Sequence, residues 1–340
     1  LKLRRAQMSK KRGARRHETT TTDENMNSLS ALAEKVASTV FSSGRFKVEL
    51  KSVEEGTGNR RCSPFPAPPK PLLIGFPVEA GDFPVLLFLH GYLLLNSFYT
   101  QLIQHIASHG YIVVAPQLYN VAGPDATEEI KAAAATTNWL VKELQCVLPP
   151  GVLANLTKFG IAGHSRGGKT SFALASAKAA MDLKCSVLIG VDPVDGMCPR
   201  RQTPPPVLTY VPRSFDIDMP VMVIGSGLGE FRTNPLFPPC APKGVSHEAF
   251  FSECKKPACY FVVKDYGHTD MLDDDTKGIR GKATYCLCKN GKSREPMRRF
   301  VGGIVVAFLR AYLDGDTADL NAVRKGDTGP VELQTMEFLV

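Results

Sequence analysis

Residues 159–168 read FGIAGHSRGG, and this stretch decides the fold. An apolar run, Phe159 to Ala162, leads without a break into Gly163-His164-Ser165-Arg166-Gly167, a G-x-S-x-G pattern. The small-residue sequence behind it predicts a helix, so the pattern lies between a strand and a helix. In that setting a sharp turn lifts the serine hydroxyl above the edge of a sheet, and larger side chains at the glycine positions would collide with the backbone. The stretch therefore predicts a nucleophile elbow with Ser165 as the nucleophile.

The sequence on both sides of the elbow alternates short apolar runs with helical patterns, which is typical of a mainly parallel sheet flanked by helices. The predicted strands lie at residues 85–89, 111–115, 159–162, 185–191, 220–224 and 260–263. The predicted helices have apolar residues at helical spacing and lie near residues 30–41, 99–106, 130–144, 172–179 and 297–313. With the elbow, this order predicts an α/β-hydrolase fold. Two long proline-rich stretches, 196–218 and 226–257, are expected to form lids or pocket walls.

The composition is that of a globular protein, with 340 residues of which 44% are hydrophobic and 22% charged. The formal net charge of +8 is concentrated at the N-terminus, where eight Lys and Arg residues precede the first acid, Glu18. The rest of the chain is neutral, so no basic surface for a nucleic-acid partner is expected. We predict a basic, disordered tail over residues 1–29, a single α/β-hydrolase domain over 30–315 and a C-terminal extension over 316–340.

The catalytic base is sought among the histidines after Ser165, because a serine needs a base held by an acid and this fold has the chain order Ser, acid, His. His268 follows the apolar run 260–263 directly and is the predicted base. His247 lies inside a long irregular stretch and is expected at the surface. His164, next to the nucleophile, is expected to point away from it and to pack.

The acid stays open among three residues. Asp192 ends the predicted strand 185–191 directly and is followed by a proline that would stiffen its exit from the sheet, so it is favoured. The commonest position of the acid in this fold, after the following strand, points instead to Glu230. Asp195, three residues beyond Asp192, is the third candidate.

Two backbone N–H groups are needed to bind the negative oxygen of the tetrahedral intermediate. The residue after the nucleophile, Arg166, supplies one, and the loop after the strand 85–89 supplies the other. That loop reads His90-Gly91-Tyr92, so we assign the second donor to the N–H of Tyr92. This chemistry needs neither a metal nor an organic cofactor, and the residues alone predict an ester or amide hydrolase.

Five passages of the chain are similar to the chlorophyllase family of plants. They are GHSRGG at 163–168, LIGVDPVDG at 188–196, TPPPVL at 203–208, DYGHTDMLDD at 265–274 and CLCKNG at 286–291. The resemblance covers most of residues 45–315 and implies a triad of Ser165, Asp192 and His268. It further implies hydrolysis of the propionate ester that joins the chlorin ring to phytol, giving chlorophyllide and phytol.

The resemblance also implies where the protein works and with what. Chlorophyll is the implied substrate and its magnesium belongs to the substrate, so no cofactor is expected. The implied location is the chloroplast, with peripheral contact between the protein and a plastid membrane. Two other functions stay open at this point: a lipase or general carboxylesterase on the same fold, and a hydrolase-fold binding protein that has lost catalysis.

Overall fold

The computed structural model describes residues 40–55, 66–176 and 179–340. The predicted tail over 1–29 and most of the predicted helix near 30–41 lie outside the described residues.

One nine-stranded sheet runs through the described residues, in the order β1-β2-β4-β3-β5-β6-β7-β8-β9. The strands are β1 Val48–Val53, β2 Leu72–Pro77, β3 Gly81–Leu89, β4 Ile112–Pro116, β5 Val152–His164, β6 Val187–Val191, β7 Val221–Ser226, β8 Ala258–Val263 and β9 Leu333–Leu339. The six strands from β4 to β8 in this order are parallel to one another. At the two edges, β2 pairs antiparallel with β4 and with β1, and β9 pairs antiparallel with β8.

Helices cover both faces of the sheet. They are α1 Thr100–Ser108, α2 Thr127–Val147, α3 Arg166–Ala175, α4 His247–Glu253, α5 Gly278–Cys286, α6 Glu295–Leu309 and α7 Ala318–Arg324. After α6 a π-helical turn, Arg310–Asp314, ends at Gly315, whose φ of +75° is the left-handed conformation that glycine favours at a helix end. Within the described residues, no helix combines the length and the apolar character needed to cross a bilayer.

The central strands are apolar on both faces because each face is covered by a separate core. In β3, Val85, Leu87 and Leu89 belong to the core that contacts α2, α3 and α4. The alternate residues Leu86 and Phe88 belong to the core that contains α1 and α6. Successive side chains of a strand point to opposite faces, so a strand buried on both faces appears in the sequence as an uninterrupted apolar run.

The prediction of an α/β-hydrolase fold is confirmed by this architecture, a mainly parallel sheet with helices on both faces. All six predicted strands are present, and the predicted run 159–162 is the end of the longer strand β5. Residues 316–340, set apart in the sequence as an extension, contain α7 and β9, and β9 pairs with β8. These residues therefore share the sheet with the domain, while the division at residue 29 stays a prediction.

Candidate active site

The elbow turns within a single residue, because β5 ends at His164 and α3 begins at Arg166. Ser165 has φ 56° and ψ −123°, a conformation that residues with a side chain rarely adopt. Its backbone is held at both ends: the N–H donates to the carbonyl of Val191 (3.0 Å), and the carbonyl accepts from Val194 N–H (3.1 Å). At Gly167 a Cβ atom would press against backbone carbonyl groups of β3 and the residue after it. The turn thus holds Ser165 in a strained conformation and requires glycine at position 167.

Asp192 and His268 come from the ends of β6 and β8 and form a buried pair. His268 Nδ1 lies 2.8 Å from Asp192 Oδ2, and the Ser226 hydroxyl donates to the same oxygen. Burial alone would raise the pKa of Asp192, but the hydrogen bond and charge of His268, with smaller contributions from His247 and Ser226, lower it to about 2. Asp192 is therefore a carboxylate that accepts the Nδ1 proton, which leaves Nε2 of His268 free to accept another.

The other two acids of the sequence analysis lie elsewhere. Asp195 accepts hydrogen bonds from the N–H groups of Val207 (2.8 Å) and Leu208 (3.0 Å) and faces buried Lys169 at 3.5 Å. It therefore fastens the stretch 196–218 to α3. Glu230 lines a separate polar cavity described below. Of the three candidates, Asp192 is the one that contacts His268 in the described part of the chain.

His247 was expected at the surface, and that expectation was wrong. It begins α4 and is buried, with Nδ1 2.6 Å from the hydroxyl of Tyr260 and Nε2 3.9 Å from Asp192 Oδ1. The stretch around it is not irregular throughout, because α4 packs on β7, where Gly225 leaves room for the imidazole ring. A second histidine thus lies beside the carboxylate of Asp192.

Ser165 and His268 line the same cavity. Among the described residues no hydrogen bond joins the Ser165 hydroxyl to the His268 ring, whose other nitrogen faces Asp192. Such contacts are often long in hydrolases without substrate and shorten when the substrate binds. The geometry thus brings Asp192 and His268 into direct contact and places Ser165 and His268 at the same cavity.

A buried chain of hydrogen bonds links the elbow to the His268 loop. His164 Nε2 lies 2.9 Å from the carbonyl of His268, and its Nδ1 lies 2.7 Å from the hydroxyl of Tyr99, which accepts the N–H of Gly91 (3.0 Å). Burial holds the pKa of His164 well below its ordinary value, so the ring is neutral. A proton on Nε2 satisfies every partner: Tyr99 donates to Nδ1, and Nε2 donates to the carbonyl. His164 is packed as expected, and it also positions the loop that carries His268.

The loop after β3 is fixed by its neighbours. The N–H of Leu118 donates to Nε2 of His90 (3.0 Å), so the proton on Nδ1 donates to the carbonyl of Gly91 (2.9 Å). Since Tyr99 accepts the N–H of Gly91, the next backbone donor along the loop is Tyr92. Arg166 is the first residue of α3, where a helix leaves its N–H groups without acceptors. Both predicted donors therefore belong to rigid backbone beside Ser165.

The Arg166 side chain also anchors the surrounding wall. Its guanidinium forms a buried ion pair with Glu129 of α2 and donates to the carbonyl groups of Gly123 (2.8 Å) and Asp125 (2.9 Å). It also lies over the ring of Tyr92, 5.4 Å from the ring centre. This pairing ties α3 to the loop that precedes α2.

The cavity at Ser165 has a volume of about 350 Å³ and an apolar lining. Its walls come from the loop after β3, the two long stretches predicted as pocket walls, and α5 with the segment after it. A disulfide, Cys240–Cys288, joins the second stretch to the segment after α5. Prominent lining residues are Tyr92, Leu93, Val194, Met197, Phe237 and Leu287.

A larger cavity of about 640 Å³ borders Ser226 and His247 and does not reach Ser165. Its lining includes Glu230, Glu248 and Glu337, so it does not suit an apolar ligand. Within the described residues, no group of three or more His, Cys, Asp or Glu side chains is placed to hold a metal ion.

Comparison with known proteins places this site in a family. The family model described as Chlorophyllase matches residues 36–340. The chain belongs to the chlorophyllase family. Its relatives include Chlorophyllase-2 of Arabidopsis thaliana, 56% identical over 88% of this chain and 97% of that protein. Chlorophyllase-1 of Arabidopsis thaliana is 48% identical over 76% of this chain and 81% of that protein. Chlorophyllase-1, chloroplastic, of Citrus unshiu is 42% identical over 88% of each chain.

The chlorophyllase match extends past the passages on which the sequence resemblance rested. It includes β9 and the C-terminal residues, so the whole sheet described above belongs to the family domain. The resemblance predicted from five short passages is confirmed. Sequence reasoning did not assign a role at the site to Ser226, His247 or Tyr99. Of these, Ser226 alone carried a usable signal, because it is a polar residue two positions beyond the predicted strand 220–224, at the same sheet edge as Asp192.

Proposed function

We propose that this protein is a serine hydrolase that cleaves the phytyl ester of chlorophyll, giving chlorophyllide and phytol. One observation carries the proposal: in a chain of the chlorophyllase family, His268 is paired with buried Asp192 and lines the same apolar cavity as a serine at a strained elbow. A nucleophile and a base at one cavity, with an acid in contact with the base, suit covalent catalysis by acyl transfer.

In the first half of the reaction, Nε2 of His268 accepts the hydroxyl proton of Ser165 while the serine oxygen attacks the ester carbonyl carbon. The carbonyl oxygen becomes negative and is bound by the N–H groups of Tyr92 and Arg166. Asp192 stabilises the positive imidazole ring that forms. The intermediate then breaks its bond to the phytol oxygen, which takes the proton from His268, and the chlorin acyl group stays on Ser165.

In the second half, a water molecule gives a proton to His268 Nε2 and attacks the acyl carbon. The bond to the serine oxygen breaks, His268 returns the proton to Ser165, and chlorophyllide leaves as the acid. The backbone donors that bind the oxygen in the first half bind it again here. A rigid donor of this type typically raises turnover by ~10²–10³, which makes the fixed loop after β3 important for the rate.

The cavity supports an apolar substrate. Among the described residues its lining contains no Asp or Glu, and it includes Tyr, Leu, Val and Met side chains from several loops. A long isoprenoid tail and a flat macrocycle need such a surface, because each buried CH₂ group contributes about 0.8 kcal/mol. The magnesium of chlorophyll remains part of the substrate in this reaction.

We also place the protein in the chloroplast, where this substrate occurs. Support comes from the names of the Citrus unshiu and Citrus sinensis relatives, both of which contain the word chloroplastic. Imaging of the full chain fused at its C-terminus to a fluorescent protein tests this location. Fluorescence outside plastids would contradict it without affecting the proposed reaction.

The decisive experiment is product analysis with chlorophyll dispersed in detergent and, in parallel, a simple butyrate ester. We expect the wild type to release chlorophyllide, and Ser165→Ala to reduce this release by at least about 10³-fold. The control is Ser252→Ala, since Ser252 is an exposed residue of α4 that does not line the cavity at Ser165. It should retain wild-type activity.

Two results would overturn the proposal in different ways. Butyrate turnover without chlorophyllide release would indicate a general carboxylesterase. A wild-type protein that neither releases chlorophyllide nor reacts at Ser165 with a serine-directed phosphonate would indicate a binding protein instead of an enzyme.

A further inference from the structure

Two exposed aliphatic residues are direct neighbours in sequence of residues that line the cavity. Leu236 is 88% exposed and Ile279 is 89% exposed. Leu236 directly precedes Phe237, and Ile279 directly precedes Arg280, and both of these neighbours line the cavity. A single exposed aliphatic residue is ordinary, but several exposed apolar residues around one opening indicate an interaction surface. The exposed lining residues Tyr92, Met197 and Phe237 extend the same patch inward.

The two segments that carry these side chains are held next to each other. The disulfide Cys240–Cys288 joins them, and Arg232 and Cys288 form an isolated β-bridge. The segments 231–247 and 276–292 are therefore treated as one rim, which carries Leu236 and Ile279.

The charge of this rim is positive throughout. Residues 231–247 and 276–292 contain seven Lys and Arg residues and no Asp or Glu. They are Arg232, Lys243, Lys277, Arg280, Lys282, Lys289 and Lys292. Of the acids that flank these segments, Glu230 and Glu248 line the larger cavity, as does Lys243, and Asp274 pairs with Arg298. Asp275 is exposed.

We propose that this rim, residues 231–247 and 276–292, is a docking face for the surface of an anionic lipid bilayer. Leu236 and Ile279 enter the boundary between headgroups and acyl chains, and the surrounding Lys and Arg residues contact negative headgroups. Each basic residue near such a surface contributes about 1 kcal/mol. The cavity then opens toward the lipid, so an apolar substrate reaches Ser165 without passing through water. Docking goes beyond the proposed hydrolysis and does not require it.

Charge complementarity favours lipid over other occupants. A second copy of the chain on the same face would set the cations of one rim against those of the other, since a two-fold interface joins identical patches. A nucleic acid would match the charges but would leave the aliphatic tips Leu236 and Ile279 without apolar partners. An anionic bilayer satisfies both features.

The test measures cosedimentation of the full chain with chlorophyll-free vesicles of phosphatidylcholine, with and without about one-third phosphatidylglycerol. We expect binding to the anionic vesicles, weakened by salt. Leu236→Asp and Ile279→Asp should each reduce vesicle partitioning at least about tenfold. Hydrolysis of detergent-dispersed chlorophyll should stay within about twofold of the wild type, because neither residue lines the cavity.

The matched control is Leu153→Asp. Leu153 is 52% exposed and lies at the start of β5, the opposite end of the strand from Ser165, so this variant should bind like the wild type. The basic residues of 1–29 are shared by all variants, so a comparison between variants reports on the rim.

A fluorescent probe on the rim itself separates binding by the rim from binding by the basic N-terminus. The chain has one tryptophan, Trp139, which is buried, so a substitution Ile279→Trp adds one exposed fluorophore. Its emission should shift to shorter wavelength with anionic vesicles, whereas Leu153→Trp should show no shift. Three results would overturn the proposal: no shift for Ile279→Trp, wild-type partitioning of both Leu236→Asp and Ile279→Asp, or self-association through the rim without vesicle binding. None of them bears on chlorophyllide release in detergent.

Discussion

The hydroxyl of Tyr99 supports two parts of the site at once, and Tyr99→Phe removes that single oxygen atom. The hydroxyl accepts the N–H of Gly91 (3.0 Å), in the loop that carries Tyr92, and donates to His164 (2.7 Å), which holds the loop of His268. Tyr99 is fully buried, so neither partner can find water in its place. The substitution leaves the shape of the ring unchanged and therefore tests the hydrogen bonds alone.

The magnitude follows from the two groups left without partners. A buried donor or acceptor that loses its partner costs about 1–3 kcal/mol, so Tyr99→Phe should lower the free energy of unfolding by ~2–6 kcal/mol. Single domains are stable by only ~5–15 kcal/mol, so the loss will be large. If release of Gly91 displaces the Tyr92 N–H, turnover should fall as well, by up to ~10²–10³, the value of one lost donor.

Tyr111→Phe is the matched control. Tyr111 is also buried, but its hydroxyl donates to Asp314 at 3.3 Å, and that exposed carboxylate also pairs with Lys158. Its loss should cost less than about 1 kcal/mol and leave turnover unchanged. Urea unfolding followed by Trp139 fluorescence gives stability, and chlorophyllide release in detergent gives turnover. Equal effects of the two substitutions on both measurements would refute the positioning role of Tyr99.

Three further predictions concern charge, pH and the elbow. The pKa of Asp192 is about 2, below the ordinary value of 3.8, so the ionised carboxylate stabilises the folded protein by ~2 kcal/mol. This contribution is present above pH ~4 and is lost as the pH falls toward 2. Acid unfolding of the wild type and of Asp192→Asn should show this loss in the wild type only. Glu129→Gln leaves a buried guanidinium unpaired and should destabilise by ~3–5 kcal/mol in urea, whereas Glu128→Gln, in an exposed pair, should change stability by less than ~0.5 kcal/mol. Gly167→Ala should prevent accumulation of soluble protein, and Gly123→Ala, where a Cβ meets open space, should express normally.

The central strands were predictable from sequence because burial on both faces leaves continuous apolar runs. The edge strands were not. In β1, VELKSV, half-buried and fully exposed residues alternate, and β9 has the same mixed character, so neither stands out from a loop. The strand β2 is well buried but was not predicted, because its short apolar run directly follows a proline-rich segment that ends at Pro71. Edge strands depend on pairing with distant partners, and no local pattern contains that information.

For the candidate site, local pattern and chain order predicted Ser165 and His268, which line one cavity in the structure. The acid stayed open because Asp192, Asp195 and Glu230 all follow strands, and only the register of the folded sheet determines which carboxylate faces the imidazole. Supporting groups are harder still to predict. Ser226 lies 34 residues from Asp192 in sequence, so their hydrogen bond exists only once β6 and β7 are paired.

Ser165 and Asp192 share an unusual backbone, with φ of +56° and +45°. For residues other than glycine this conformation is unfavourable by ~1–2 kcal/mol each, and the surrounding sheet must hold it in place. Glycine at either position would relieve the backbone strain and at the same time remove the proposed nucleophile or the proposed acid. Selection for thermal stability alone would therefore favour variants that have lost a proposed catalytic residue. A screen for more stable variants should also measure product formation.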